Sequence, residues 1–534
     1  MKRTALALAI ITICSQQASA QIPEDAIRMS WNTPSGTARS QAIGGAMGSL
    51  GGEITTLFVN PAGLGFYKKG EFVLTPGFQF TNGTGSFRGT ETKAQSKNSF
   101  NFGTTGFVFS WQDNNSKWKN KTFALGINRT ANFNNFQHYK GQNDYSSFSE
   151  QAVEDFANSG LEIDQFAIYD APLQYMTKLA YYTYLIDTIQ MADGSAQIVG
   201  APQYNAIKNN TDFLLDQEKT VTSKGGITEL ALGFASNMDD MIYIGGSIGI
   251  PIVNYSRTSV IREMDATGDA NNFFNYAEYR EDYDASGLGV NAKLGLIFKP
   301  VQQVRVGLAI HSPSWYALRE KTTGSMEVDH DGRLGAGVRT ANQDDIYTNE
   351  NVAVPDYQFD LVAPWKFLVS GSYTFNAVED VTQQKGFITA DIEYVTHRSS
   401  KFRSADPTQN KDYYDAVNST IKDTYKGAVN YRVGGELKFN TIMARLGFSY
   451  YGSPYKEKKF QYGGTTAEEL TPRRMNVSGG LGYRNRGIFV DLTYVHSMNR
   501  DINFPYRLAD KDNTFAGLKE NNGNVILTVG LKFR

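Results

Sequence analysis

The 534-residue sequence has one cysteine, Cys14, and it lies within the first 20 residues. A disulfide framework, a catalytic cysteine and a thiolate metal site are therefore excluded from the remainder of the chain. Neither sign of charge is in excess, with 52 basic and 54 acidic residues. The basic surface of a nucleic-acid-binding protein is thus missing, and we expect no nucleic-acid partner. After residue 20, no run reaches the roughly 18 apolar residues of a transmembrane helix.

The N-terminus has the three parts of a secretory signal peptide. Lys2 and Arg3 are basic, residues 4–14 are mostly apolar, and small residues at 18–20 precede the mature chain. This pattern predicts a signal peptide over residues 1–20 and export from the cytoplasm. The apolar run is too short for a membrane anchor. Ile13, directly before Cys14, does not fit a lipoprotein signal.

What the sequence does contain is typical of strands. It has 51 Gly, 33 Phe and 30 Tyr, residue types that favour tight turns and pleated strands. Apolar residues alternate with polar or small residues along many segments, and such alternation places them on opposite faces of a strand. The alternation predicts about 14 strands, at residues 71–82, 100–111, 120–132, 226–237, 241–259, 285–299, 302–313, 365–377, 385–398, 428–440, 442–452, 474–485, 487–497 and 523–533.

The connections between these strands alternate between short and long after the first strand. A transmembrane barrel has this asymmetry, with short turns on the periplasmic side and long loops outside. The apolar faces carry no charge, whereas the opposite faces carry charges such as Arg305, Asp391 and Glu436. A charge facing lipid near the midplane costs roughly 2–4 kcal/mol, so the apolar faces should point outward. The fold class is therefore all-β: a transmembrane antiparallel barrel spanning 71–534, in the outer membrane of a Gram-negative bacterium.

Residues 21–70 show no such alternation and are rich in Gly, Ala and Ser. A barrel of about 14 strands is wider than one filled by its own side chains. We therefore interpret residues 21–70 as an N-terminal plug inside the lumen, here called the hatch. A flexible leader remains the alternative. The hatch contains the turn sequence Asn60, Pro61, Ala62 and Gly63, in which Pro61 fixes its own φ and biases Asn60 toward an extended conformation.

Three stretches carry a family resemblance: residues 36–46 with the motif at 60–64, the hairpin 294–308 that ends at 311–313, and the final strand at 523–533, which ends in an aromatic residue. In these stretches the chain resembles the FadL/TodX family of outer-membrane transporters for long-chain fatty acids and other hydrophobic compounds. The resemblance implies a 14-stranded barrel, an N-terminal hatch and passive uptake of an apolar ligand through the barrel wall. Gly126 is a candidate for a kink in the third strand, through which the ligand would leave.

The insert at 133–225 is predicted to be partly helical and extracellular. Apolar residues recur at helical spacing in two stretches, which predicts either an apolar groove for ligands or two helices packed on each other. The groove residues would be Phe148, Phe156, Leu173, Met176 and Tyr184. In the lumen, Arg305, Arg432, Arg445 and Arg484 could bind a ligand carboxylate, because a guanidinium binds carboxylates bidentately. Charge-balanced packing with neighbouring acids is the alternative.

The sequence predicts no enzyme. Residues 245–249 match a nucleophile-elbow pattern, but the strand continues beyond Ser247 where an elbow requires a helix. The five histidines lack metal-ligand spacing, so we expect no metal and no cofactor. Expected partners are a hydrophobic small molecule, outer-membrane lipid and lipopolysaccharide, and the barrel-assembly machinery, with the chain a monomer. Two other functions stay open: a polar-solute porin, and a haem-binding or adhesive surface protein that uses the long loops, where His138 or His330 could serve as an axial haem ligand.

Overall fold

The computed structural model describes residues 23–533, apart from residues 114, 162–172, 192–193, 210, 270–271, 336, 344, 346–355, 376–384, 406–410 and 457–471. The predicted signal peptide, with Cys14, lies outside the described residues. None of the helices in the described part of the chain combines the length and apolar character that crossing a bilayer requires.

Fourteen antiparallel strands form a closed barrel, which confirms the predicted fold class. In chain order they are β1 (Gly70–Leu74 and Pro76–Phe87), β2 (Lys97–Phe102 and Thr105–Gln112), β3 (Trp118–Asn132 and Asn135–Asn143), β4 (Leu215–Met238), β5 (Ile242–Asp265), β6 (Tyr276–Phe298), β7 (Val304–His311 and Trp315–Asp329), β8 (Asp356–Val362 and Lys366–Phe375), β9 (Gly386–Val395 and Lys401–Ser404), β10 (Ala428–Phe439), β11 (Ile442–Tyr451), β12 (Arg473–Asn485), β13 (Ile488–Asn503) and β14 (Ala516–Phe533). Closure comes from β1 pairing with β14, where Gly70 lies opposite Phe533.

The helices and the remaining strands lie before the barrel or in its loops. The helices are α1 (Pro23–Ser30), α2 (Ala38–Ala42), α3 (Thr56–Val59), α4 (Ser149–Asn158), α5 (Tyr175–Tyr182), α6 (Ala201–Asn209) and α7 (Lys411–Thr424), with 3₁₀ turns at Pro61–Phe66 and His397–Ser399. Short strands Thr90–Lys93 and Arg339–Asn342 extend the sheet, and Ile186–Gln190 pairs with Ala196–Gly200 in a separate hairpin.

The two-residue alternation has the orientation that the sequence predicts. Along β14, Val525, Leu527 and Val529 are exposed on the outer face, while Ile526 and Thr528 are buried on the inner face. The short turns use left-handed backbone conformations that suit tight antiparallel connections. Among them, Asp239 and Asp240 connect β4 to β5, and Asn440 connects β10 to β11.

Several strands extend further than predicted on the side of the long loops. Strand β4 begins at Leu215 instead of residue 226, and β7 continues to Asp329 instead of ending at residue 313. These extensions carry polar residues on both faces, so they lack the alternation used to find strands. The predicted insert at 133–225 is therefore too long at both ends, because β3 continues to Asn143 and β4 already begins at Leu215. Its two predicted helical stretches are present as α4 and α5.

Candidate functional site

Asn60 lies at the centre of the hatch and is fully buried. Its Oδ1 accepts a hydrogen bond from the Ala62 N–H at 3.2 Å, which caps the 3₁₀ turn that follows. Its Nδ2 donates to the Gly48 carbonyl oxygen at 2.6 Å. The same Nδ2 lies 3.4 Å from the Leu296 carbonyl oxygen on β6 and 3.3 Å from that of Leu308 on β7. One side chain therefore connects two parts of the hatch to the barrel wall.

The other residues of the motif are also buried. The Gly63 N–H donates to the Asn60 carbonyl oxygen at 3.0 Å, and the Gly63 carbonyl accepts from the Gly52 N–H at 3.1 Å. Within this turn, Pro61 and Ala62 pack against the inner face of β5 and β6. Because the whole turn is paired internally and packed against the wall, it is a fixed element of the hatch.

Hydrogen bonds attach the hatch to strands around the barrel. The hatch backbone bonds to inward-facing side chains on nine strands: Ser110, Asn120, Asn128, Asn237, Ser247, His311, Thr389, Asp391, Ser478, Thr493 and Thr528. The shortest is the 2.6 Å bond from the Thr493 hydroxyl to the Ala38 carbonyl. The hatch is thus held from most directions by polar groups of the inner face.

A set of inward-facing glycines lets the hatch backbone reach the wall. A Cβ added at any of them would lie closer than 3.0 Å to a hatch atom; they are Gly245, Gly295, Gly307, Gly434 and Gly447. At Gly295 the nearest hatch atom is the Asn60 Oδ1, and at Gly245 it is the Pro61 carbonyl oxygen. These glycines could not be distinguished in the sequence from other small residues on the inner face. Their position on the strand face opposite the apolar residues is the sequence feature that could have identified them.

Arg445, one of the four predicted carboxylate-binding arginines, is bound to acids of the chain. Its Nε lies 2.6 Å from Glu436 Oε2, and its Nη1 lies 2.6 Å from Asp491 Oδ1. Arg39 of the hatch joins the same cluster, with its Nε 3.3 Å from Glu436 Oε2. Arg445 therefore helps to attach the hatch to the wall.

Arg432 has a similar environment. Its Nε lies 3.7 Å from Asp391 Oδ2, and its Nη2 lies 3.4 Å from Glu393 Oε2. Asp391 also accepts a hydrogen bond from the Gly48 N–H of the hatch at 3.1 Å. Both arginines thus have the charge-balanced packing that was the alternative to ligand binding.

The other two predicted arginines lie near the short turns and contact aromatic rings. The Arg305 guanidinium lies 4.7 Å from the centroid of Phe66 in the hatch. The Arg484 guanidinium lies 5.2 Å from the centroid of Phe489 on β13. Their use by a ligand carboxylate stays a prediction.

Above the hatch, the lumen contains a cavity of about 2100 Å³. Its floor is formed by α1 and residues 32–35, its wall by the barrel strands, and its roof by the long loops. The roof includes Phe148, Leu173 and Met176, three of the predicted groove residues. Burial raises the pKa of the Asp155 carboxyl, which lies on α4 at the edge of this roof.

Most of the predicted groove residues pack against other residues of the long loops. Phe148, Phe156, Leu173 and Met176 are buried, and α4 contacts α5 as the packing alternative requires. Tyr184 differs, since it is exposed and has a positive φ of 58° two residues after the end of α5. Phe148, Leu173 and Met176 therefore fit both hypotheses, helix packing and an apolar ligand surface, because they pack in the loops and also line the cavity.

The third strand has a bulge beside the hatch, but it does not lie at Gly126. Gly126 pairs regularly with its neighbours on both sides, so the proposed kink position was wrong. The register shifts at Thr130, which has no partner in the ladder to β4. Here the Ser35 N–H of the hatch donates to the Arg129 carbonyl at 3.0 Å, and Asn128 Nδ2 donates to the Ser35 carbonyl at 3.1 Å.

The residues considered for other chemistry have structural contacts. Ser247 lies within the uninterrupted strand β5 and donates to the Leu57 carbonyl at 3.0 Å. His138 lies 2.6 Å from Glu218, and His330 bonds to the Thr183 carbonyl at 2.8 Å. No cluster of His, Cys, Asp or Glu in the described ranges could hold a metal ion.

Comparison with solved structures finds barrels of the same architecture. A FadL homologue from Pseudomonas aeruginosa aligns over 95% of this chain and 100% of its own, with a TM-score of 0.51 and 13% identity. The chain has the FadL-type fold. The toluene transporter TodX of Pseudomonas putida aligns over 93% of this chain and 98% of its own, with a TM-score of 0.50 and 13% identity.

The FadL-type fold is the one that the sequence resemblance implied, and that expectation is confirmed. The alignment covers nearly the whole chain. A scan against models of known protein families gives no match, and a search of curated protein sequences gives none either.

Proposed function

We propose that this protein belongs to the FadL/TodX family and takes up hydrophobic compounds across the outer membrane of a Gram-negative bacterium, after export by its signal peptide. The observation that carries the proposal is the hatch, attached by hydrogen bonds to nine strands below a cavity of about 2100 Å³. A hatch in this position closes the lumen to polar solutes. It therefore argues against the alternative of an open porin.

The route begins at the extracellular loops. Apolar ligands would be caught beside Phe148, Leu173 and Met176 and would enter the cavity, which these residues line. The ligand would leave sideways through the wall at the bulge around Thr130, by diffusion and without energy coupling. Two features support this exit. The bulge interrupts the ladder between β3 and β4, and Arg129 beside it lines the cavity.

Long-chain fatty acids are the first substrates to test, followed by toluene, because TodX is a toluene transporter. No catalytic role is proposed, and we propose that the chain is inserted by the barrel-assembly machinery and works as a monomer surrounded by lipid and lipopolysaccharide. The haem-binding alternative gains nothing from His138 and His330, since each already has a partner in the chain.

The test uses deletion of Thr130, which restores a regular register in β3. The matched control is deletion of Lys119, the unpaired residue at the second register shift of the same strand, near a short turn. Uptake of radiolabelled oleate and toluene is measured in cells with equal surface display of each variant. We expect uptake above empty-vector cells for the wild type and the Lys119 deletion, and a loss of uptake on deletion of Thr130.

Two results would count against the proposal in different ways. Normal uptake after deletion of Thr130 would remove the sideways exit, while leaving uptake itself in place. If the wild type takes up neither oleate nor toluene, the assignment to hydrophobic transport fails. Where the wild type does take up either compound, an Asn60→Ala, Pro61→Ala variant tests the role of the hatch, because loosening the hatch should change uptake only if the ligand passes it.

A further inference from the structure

Basic residues lie directly opposite one another on one side of the barrel. Arg473 on β12 is opposite Arg500 on β13, and Arg500 is opposite Lys519 on β14. Thr84 on β1 lies opposite Lys519 and also opposite Lys93 of the adjoining short strand. Neighbouring strands are about 4.8 Å apart, so this row spans roughly 19 Å across five strands. We call Arg473, Arg500, Lys519 and Lys93 the basic ladder.

The basic ladder lies on the outer face of the barrel. Arg500 lies six residues beyond Tyr494, which is exposed on the apolar outer face, so both side chains point to that side of β13. Asp501, the next residue, lines the cavity inside the barrel. Directly opposite residues of an antiparallel pair share a face, so the other members of the ladder point outward as well. Three of the four are exposed, and Arg473 is half-buried.

The basic ladder has no counter-charge among the described residues. None of its members forms an ion pair there, whereas the inward-facing Arg474 has its Nη2 4.0 Å from Asp501 Oδ2. Glu91 shares the outer face two positions from Lys93, but it too forms no ion pair with a described residue. Like charges that lie directly opposite in a sheet destabilise it. The ladder therefore calls for an anionic partner from outside the chain.

Another side of the barrel shows charges of alternating sign in the same kind of row. Lys140 on β3 lies opposite Glu218 on β4, which lies opposite Arg262 on β5. Arg262 in turn lies opposite Glu278 on β6, with its Nη1 4.0 Å from Glu278 Oε2. In that row the chain supplies its own counter-charges. A row of like charges is therefore not a general property of the strand ends on the side of the long loops.

The basic ladder lies just beyond the apolar band of the barrel. Arg500 is twelve residues beyond Ile488, the exposed apolar residue with which β13 begins after a short turn. At about 3.4 Å per residue and a strand tilt of about 40°, this distance corresponds to a rise of about 31 Å, whereas the apolar band is about 25 Å tall. The ladder is thus about 6 Å beyond the hydrocarbon boundary, on the side of the long loops, which is the external side in such barrels.

The outer leaflet at this level contains the phosphates of lipopolysaccharide, which are attached to the diglucosamine head of its lipid A. A guanidinium binds phosphate bidentately, and a lysine ammonium binds it as a point charge. Arg473 and Arg500 supply two adjacent guanidinium groups, while Lys519 and Lys93 lie on either side of Thr84, whose hydroxyl can donate a further hydrogen bond.

We propose that the basic ladder is a binding site for the phosphorylated head of one lipopolysaccharide molecule in the outer leaflet. The site lies outside the barrel and is separate from the cavity and the hatch. The proposal rests on the outer-membrane location given in the proposed function, and it goes beyond that function by assigning a lipid site to named residues.

The test measures the Kd of fluorescent diphosphoryl lipid A for the full-length barrel in a non-ionic detergent at fixed salt. The ladder variant is Arg500→Gln, Lys519→Gln, and the matched control is Lys140→Gln, Arg262→Gln, which removes the same charge from other outward positions. Unlabelled diphosphoryl lipid A, dephosphorylated lipid A, phosphatidylglycerol and inorganic phosphate are the competitors. Gel mobility before and after heating shows that each barrel is folded, and Lys519→Gln alone is used if the ladder variant does not fold.

We expect equal Kd values for the wild type and the control, and a Kd at least about tenfold higher for the ladder variant, because two charge-assisted contacts are lost. Diphosphoryl lipid A should raise the gel unfolding temperature of the wild type and the control, but not that of the ladder variant. Without lipid, the ladder variant should unfold at the wild-type temperature or above it, since two opposed like charges have been removed.

Three results would overturn the inference. One is an equal Kd for the wild type and the ladder variant. A second is an equal loss of binding in the control, which indicates the total charge of the barrel and not the ladder. The third is competition by dephosphorylated lipid A, phosphatidylglycerol or inorganic phosphate as strong as that by diphosphoryl lipid A.

Uptake of oleate and toluene separates this inference from the proposed function. Uptake by wild-type cells together with any of the three results above refutes the lipid site and leaves hydrophobic transport in place. Binding of diphosphoryl lipid A that depends on the ladder, without uptake of either compound, supports the lipid site and refutes the proposed transport.

Discussion

Replacing Gly295 by alanine tests how the hatch is held against the barrel. Gly295 faces inward on β6, and an added Cβ would lie closer than 3.0 Å to Asn60 Oδ1. The Ala62 nitrogen lies 3.1 Å from the same point, so the Asn60 side chain cannot simply shift toward it. The substitution adds one methyl group to an extended strand and leaves the backbone ladder of β6 intact. Its effect should therefore fall on the hatch.

The magnitude follows from the hydrogen bonds that Asn60 would lose. Its Oδ1 accepts from the Ala62 N–H at 3.2 Å, and its Nδ2 donates to the Gly48 carbonyl at 2.6 Å. A buried group left without its partner costs about 1–3 kcal/mol, so the hatch should be destabilised by roughly 2–6 kcal/mol. Since 1.4 kcal/mol corresponds to a factor of ten, the open population of the hatch should rise about 30-fold or more.

A cysteine probe measures this population. The only cysteine of the sequence is Cys14, in the predicted signal peptide, so Ala46→Cys places a single thiol in the hatch, at a residue that is fully buried. Its maleimide labelling rate is compared with and without Gly295→Ala. Gly371→Ala on β8 is the matched control, because no atom lies within 4 Å of an added Cβ there. We expect at least tenfold faster labelling for Gly295→Ala only. Equal rates in all three proteins would refute the reasoning.

Three further substitutions test the stability of the hatch, the barrel and the loops individually. Arg445→Gln leaves the Asp491 carboxylate without its partner and Glu436 with Arg39 alone, so it should cost about 3–5 kcal/mol and lower the temperature at which the barrel unfolds on gels; an unchanged temperature would contradict it. Thr528→Val removes the hydroxyl that accepts the Ala38 N–H hydrogen bond at 2.7 Å, which should destabilise the hatch by about 1–3 kcal/mol. The same cysteine-labelling assay measures this effect, and a labelling rate equal to that of the wild type would contradict it. Phe148→Ala should destabilise the loops by about 3–5 kcal/mol and speed amide exchange in α4, with barrel strands as the internal control; unaltered exchange in α4 would disprove the packing argument.

The barrel could be predicted from the sequence because the outer face obeys a severe physical restriction. Along β14, Val525, Leu527 and Val529 meet the apolar surroundings, and any charge among them would be costly. The same cost fixed the orientation of Arg432 and Arg445, which are buried on the inner face as predicted. Where that restriction ends, the prediction fails: β4 begins at Leu215, eleven residues before residue 226, in a segment that has polar residues on both faces.

The candidate site was less predictable, because its residues are defined by contacts far apart in sequence. Asn60 was singled out for its local turn, yet its contacts with β6 and β7 lie more than 230 residues away. Gly295 and Gly307 are recognisable only when the hatch backbone is known to pass them. For Arg445, the sequence showed an inward guanidinium but not that two acids lay within reach.

Buried ion pairs contribute to the attachment of the hatch to the barrel wall. At the level of the hatch, Arg432 and Arg445 are each paired with two carboxylates, and removing one partner of such a buried pair is strongly destabilising. These groups are therefore suited to holding the hatch and unsuited to repeated exchange with a ligand. Loss of Arg445 should therefore weaken the attachment of the hatch more than loss of a single hydrogen bond, such as the one from the Ala38 N–H to the Thr528 hydroxyl.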